Sequence, residues 1–249
     1  MERALKSDRA GCSYNVSVVE FIGLPGAGKS TLAACVIDHL NKNNIPVESP
    51  VATINDRTAL VRILSKLIYV GMTSIVSPKM AFNSLHATGF RQLGSSADTR
   101  STLFNWLFVH RLATRNRRKE RLTILDQGLF QAYWSVCLSE SSALRATIRD
   151  EVIRIYQNQP LLIVDVQVSP RILADRLSDR NPNPSRVKPA QDVGYGIADA
   201  THAYSETREL IDEVVEYNPR AELLELTNEL PSEIQPNIKT VSDRIQDRT

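Results

Sequence analysis

In residues 16–40, VSVVEFIGLPGAGKSTLAACVIDHL, a glycine-rich loop stands between an apolar run and a helical repeat of apolar positions, and that order leaves few folds open. Gly23, Gly28, Lys29 and Ser30 meet the spacing G-x-x-x-x-G-K-[S/T] of a phosphate-binding loop. Gly23, Gly26 and Gly28 let the backbone take turns that a Cβ would obstruct, so that successive N–H groups converge on an anion. Lys29 is long enough to reach β- and γ-phosphates, and the Ser30 hydroxyl suits Mg²⁺. A helix starting near Lys29 would aim its positive dipole end at the same phosphates. Gly23, Pro25, Gly26, Ala27, Gly28, Lys29, Ser30 and Thr31 are therefore expected to bind ATP with Mg²⁺. The bland alternative is a glycine turn that joins strand to helix and binds nothing; the constrained positions and their setting favour the nucleotide.

A strand–loop–helix of this kind belongs to an α/β chain, and the rest of the sequence agrees. Apolar runs at Val16–Ile22, Ile45–Val51, Leu122–Asp126, Leu161–Val168 and Ala221–Leu226 alternate with helical patterns, which predicts a five-stranded parallel sheet flanked by helices, the three-layer P-loop NTPase fold. Residues 57–121 hold no strand pattern, so two or three helices must cross between the second and third strands and could wall a substrate pocket. Within them, 60–76 reads as a core-facing helix, since Arg62 and Lys66 interrupt what would otherwise resemble a membrane span. Val241–Gln246 reads as a short terminal helix. Prolines and glycines gathered in 178–196 predict a mobile lid. Residues 1–14 form an expected flexible tail, and 15–249 a single domain.

Charge and cysteine usage narrow the function. A net charge of +2 over 249 residues gives no general pull on nucleic acid. Three cysteines without paired spacing speak against a disulfide framework or a zinc site and suit a reducing, cytoplasmic setting. No apolar run of about eighteen residues is present, so no membrane is expected as a partner.

Three further stretches carry chemistry. LTILDQG ends an apolar strand in Asp126, where a carboxylate beside a phosphate loop can hold the Mg²⁺ shell or take a proton from a substrate hydroxyl. Asp126 could instead cap the next helix. Arg176 and Arg180 share one helical face and, with Arg186, could close over a transferring phosphoryl group, because guanidinium donors match phosphate oxygens. Arg171 paired with Asp175, and Arg176 with Asp179, would make the same stretch a solvated, salt-bridged helix. In LFNWLFVHRLATRNRRKER the basic end reads as solvated, whereas Arg111 follows Trp106, Phe108 and His110 and could grip an acceptor at the edge of an apolar pocket.

Taken in order, EFIGLPGAGKST, LFNWLFVHR, ILDQG and DVQVSPRILADRLSDR resemble the thymidylate kinase-like branch of the P-loop nucleoside and nucleotide kinases over roughly residues 16–228. The resemblance implies a parallel-sheet kinase core, ATP and Mg²⁺, a closing lid, and a small, often nucleotide-like acceptor. By position, Lys29, Asp126, Arg176 and Arg180 would be catalytic, Ser30 and Asp126 would hold the metal, and Arg176, Arg180 and Arg186 would surround ATP. Arg111 and Gln127 would face the acceptor. Pro25 and Gln127 stand where thymidylate kinases usually carry an aspartate and an arginine, which points away from thymidylate itself. The expected activity is phosphotransfer to a small molecule: a nucleotide, nucleoside, sugar or antibiotic. A nucleotide-dependent switch that signals to a protein partner is the contrasting reading, and the family leaves a homodimer open.

Overall fold

The computed structural model describes residues 16–55, 58–89, 97–116, 122–138, 142–179 and 196–247. The elements run β1 (Val18–Ile22), α1 (Lys29–Lys42), β2 (Val47–Glu48), α2 (Pro50–Asn55), α3 (Ala59–Val76), α4 (Pro78–Thr88) and α5 (Ala97–Asn116). They continue with β3 (Leu122–Leu125), α6 (Leu129–Leu138), α7 (Ser142–Tyr156), β4 (Leu161–Gln167), α8 (Pro170–Ser178), α9 (Ile197–Tyr217), β5 (Ala221–Thr227) and α10 (Ile234–Gln246).

All strand pairs are parallel, in the order β2-β3-β1-β4-β5. A parallel sheet must be covered on both faces, and the pleat of β1 shows how. Val19 and Phe21 pack with Leu32, Val36 and Leu40 of α1 and with Ile238, Val241 and Ile245 of α10. Val18 and Ile22 point the other way, into a core built from Trp106, Phe130, Trp134, Ile148, Ile155 and Leu210 on α5, α6, α7 and α9. Each such side chain taken from water contributes roughly 1.5–3 kcal/mol before the entropy of ordering is counted. The connection leaves β1 toward β3 on one side and returns to β4 on the other, so a crevice opens at the C-terminal edge of these strands, where ligands bind in sheets of this type.

Three expectations change. The second strand is Val47–Glu48 rather than Ile45–Val51, because Pro50 takes the first position of α2, where its missing N–H costs nothing. The terminal helix starts at Ile234, well before Val241, with Ile238, Val241 and Ile245 as its buried stripe. Helix α3 is inverted relative to the expected core-facing helix. Its inner side carries Lys66, whose ammonium lies 5.2 Å from the centre of the Phe108 ring, and Thr73, whose hydroxyl donates to the Leu107 carbonyl at 3.0 Å. Its outer side exposes Leu60, Val61, Ile63, Leu64, Leu67, Ile68, Met72, Ile75 and Val76. No single helix among the described residues is long and apolar enough to cross a membrane. The expected tail, residues 1–14, and all but the ends of the expected lid, 178–196, lie outside the described residues.

Candidate active site

The phosphate loop leaves β1 at Gly23 and enters α1 at Lys29. Gly28 sits at the helix entry with φ 92°, in the left-handed region, and a Cβ there would meet Asn228 Nδ2 at 2.4 Å. The amides of Lys29, Ser30 and Thr31 open α1 and have no partner within its ladder, so they form an anion-binding end. Lys29 folds its ammonium back onto the Leu24 carbonyl at 3.1 Å, inside the loop where a phosphate would lie.

The outside of the loop is braced by the far end of the chain. Asn228, at the exit of β5, donates from Nδ2 to the Ala27 carbonyl at 2.7 Å. Arg176 on α8 donates to the carbonyls of Asn228 (2.8 Å), Glu229 (3.0 Å), Gly26 (3.3 Å) and Ala27 (3.4 Å). The guanidinium expected to meet the transferring phosphoryl group is thus engaged by four carbonyls and acts as a clamp on the loop. Arg180 and Arg186 lie outside the described residues.

Asp126 follows β3 directly. Burial raises its pKa above the ordinary carboxylate range, while a hydrogen bond with Ser30 and the charge of Lys29 pull it back. Its Oδ1 is buried and accepts no hydrogen bond from the protein. An orphaned carboxylate oxygen beside a serine hydroxyl is the donor set Mg²⁺ favours, for this ion takes one or two protein oxygens and fills its octahedron with water and phosphate. The residues present fit the metal. Among the described residues no trio of His, Cys, Asp or Glu gathers elsewhere to hold one.

The helix-cap role open to Asp126 is filled from another strand. Glu20, in the middle of β1 and fully buried, accepts from the Phe130 N–H at 2.7 Å and from the Gln131 N–H at 3.4 Å, and so caps α6. The Tyr156 hydroxyl donates to its second oxygen. A charged residue inside VVEFI was the signal for this, and the sequence reading passed over it.

Two clefts flank the loop. The first, about 410 Å³, is lined by Pro25, Gly26, Gly28, Lys29, Ser30 and Thr31, and across from them by Ser101, Thr102, Asn105, Gln127, Gln131, Trp134 and Ser135. Gln127 is therefore placed as expected. Arg111 is not among the lining residues, and its Nε is buried without a hydrogen-bond partner. The sequence reading missed Ser101 and Asn105 on α5 and Gln131 and Ser135 on α6. Both pairs are polar residues four apart on helices that are otherwise largely apolar on that side, a spacing that puts them on one face. The second cleft, about 370 Å³, lies between Gly26, Gly28 and Thr31 on one side and Arg176, Asp179, Asn228, Leu230, Pro231 and Ile234 on the other.

A family model described as an AAA domain matches residues 18–192, which includes the loop, both cleft-lining helices and Arg176. The chain belongs to that family. No curated protein matches the AAA-domain chain. Among solved structures it is similar to a deoxyadenosine kinase from M. mycoides with bound dCTP, at 12% identity and TM-score 0.50, over 92% of this chain and 99% of that one. It is also similar to a thymidylate kinase from Candida albicans, at 11% identity and TM-score 0.50, over 94% of each chain. At such identities the likeness concerns the fold: the AAA-domain chain has the parallel-sheet architecture of the P-loop nucleotide kinases, as its motifs suggested.

Proposed function

We propose that this protein is an ATP- and Mg²⁺-dependent kinase that phosphorylates a small, uncharged, hydroxyl-bearing acceptor such as a nucleoside or sugar. The observation that carries this reading is the buried, unpartnered Oδ1 of Asp126 beside Ser30 and Lys29, next to a cleft large enough for a small molecule. Lys29 and the opening amides of α1 hold the β- and γ-phosphates. Ser30 and Asp126 would hold Mg²⁺, which when bound would neutralise phosphate charge. Asp126 takes the proton of the attacking hydroxyl directly or through a water. The second cleft, beside the Arg176 clamp, suits the base and ribose of ATP. Apart from Lys29, the lining of the first cleft is neutral, and the Oε1 of Gln131 is buried there without a partner, which favours an acceptor that brings a hydroxyl or N–H rather than a phosphate. Measuring ADP release with pooled nucleosides, sugars and nucleoside monophosphates tests this. Stimulation by one of the neutral pools is expected. Phosphate release at an equal rate with and without every acceptor would instead mark a nucleotide switch.

We also propose that a second copy covers the outer face of α3. Nine exposed aliphatic side chains on α3, with Phe82 and Leu85 on α4, present on the order of 1,000 Å² of apolar surface, against the roughly 800 Å² per partner of a standard interface. Lys66 turns toward the inner side, Arg62 and Lys79 stay exposed, and residues 58–89 contain no acidic side chain. A two-fold pairing of α3 with its copy would bury this apolar face without placing a carboxylate in it. Sedimentation at micromolar concentration is expected to give twice the chain mass, and Leu64→Glu with Ile75→Glu to give the single mass with an unchanged circular dichroism spectrum. A wild-type monomer, or one that floats with anionic vesicles, overturns the proposal.

A further inference from the structure

Helix α6 lines the first cleft, yet it opens at Leu129 after Gly128, a residue with no side chain to cap it. The cap arrives from β1 as the Glu20 carboxylate, and the approach is so close that a Cβ on residue 128 would stand 2.2 Å from Glu20 Cδ. Glu20 faces few other polar groups. Its strand neighbours are Leu125 on β3 and Ile163 on β4, α7 contributes the Tyr156 hydroxyl, and α6 contributes backbone amides. Burial pushes its pKa up to about 7, against the opposing hydrogen bonds of Tyr156, Phe130, Gln131 and Leu129. A neutral amide of the same shape would accept the same amide proton without the cost of burying a charge. A carboxylate kept in this position carries a cost, and it lies directly beneath the turn that holds Asp126 and Gln127.

Resting on the phosphotransfer reading above, we propose that Glu20 is a positioning residue for the reaction. In its ionised form it grips the first turn of α6 and thereby sets Asp126 against Ser30 and aims Gln131 into the acceptor cleft. Protonation weakens that grip, because a neutral carboxyl is a poorer partner for amides at a helix N-terminus.

The test is Glu20→Gln, with Tyr156→Phe as the companion, each followed from pH 5.5 to 9. The native state holds the Glu20 proton more tightly than the unfolded chain does, so the wild type loses stability as pH rises from the ordinary carboxylate range to about 7, and the loss is complete above it. Glu20→Gln escapes that cost. Its melting temperature relative to wild type should therefore rise from pH 5.5 to about 7 and then level, while its kcat/KM for the acceptor falls at least tenfold at pH 8 and ATP binding stays within twofold. Wild-type kcat/KM should climb through pH 7; Tyr156→Phe removes a donor to the carboxylate and should move that climb to higher pH. A readout free of turnover is the fluorescence of Trp134, which sits on α6 at the cleft: wild type should show a transition near pH 7 that Glu20→Gln lacks. Should no acceptor ever be phosphorylated, the kinase reading fails while this fluorescence arm still judges Glu20. Wild-type acceptor kinetics in Glu20→Gln, a parallel loss of melting temperature and ATP binding, or the same fluorescence titration in both proteins overturns the proposal.

Discussion

Asp126→Asn is expected to lower turnover about 10²–10⁴-fold, the range that a positioned acid or base supplies, while ATP affinity weakens less than about tenfold because Lys29 and the loop amides remain. The substitution keeps the size and burial of the side chain but removes the charge that would hold metal or take a proton. The pH profile sharpens the expectation. Burial raises the Asp126 pKa, and the ionised form is the working one, so wild-type activity should fall as pH drops through that raised value. Asp126→Asn should lack this limb. Steady-state rates and ATP titrations across pH check both points. An equal loss of ATP binding and of melting temperature would instead make Asp126 a structural residue of the β3–α6 turn.

Lys29→Ala is expected to reduce turnover about 10²–10³-fold, as the loss of one preorganised donor to developing charge does, and to leave the melting temperature without ligand within a few degrees. The lysine ammonium rests on a loop carbonyl and not in either hydrophobic core, so the fold does not depend on it. Stabilisation by ATP with Mg²⁺, which any ligand of the native state confers, should shrink sharply in this variant. Near wild-type turnover at saturating ATP would remove the loop from the catalytic assignment.

The parts of the fold legible in the sequence were those written in local patterns. The β1, β3 and β4 runs are mainly apolar on both faces because central parallel strands are covered on both sides, and these three and β5 each lie within two residues of the expected span. The phosphate loop and Asp126 were legible because they follow strands directly. The remainder depends on partners remote in sequence. Periodicity showed that α3 has an apolar face but not that α5 would take its polar side. A pair of arginines four apart looked like an anion site, yet the acceptors for Arg176 are carbonyls at 26, 27, 228 and 229, and backbone carbonyls leave no mark in a residue string. Arg111 is not in the lining of the first cleft, and the neutral residues that are were hidden by looking for charge.

The bracing of the phosphate loop has a consequence for how the protein is made. Ala27 emerges well before its support, for the amide that fastens its carbonyl belongs to Asn228, 201 residues later. A ribosome that has completed β1, α1 and even β4 holds a chain with the whole nucleotide motif and none of its final support. The loop would acquire its working shape only when β5 docks beside β4, and such long-range closure comes late in folding. Nucleotide capture would then wait for β5, and a chain truncated before residue 228 should carry an intact motif that no longer retains ATP.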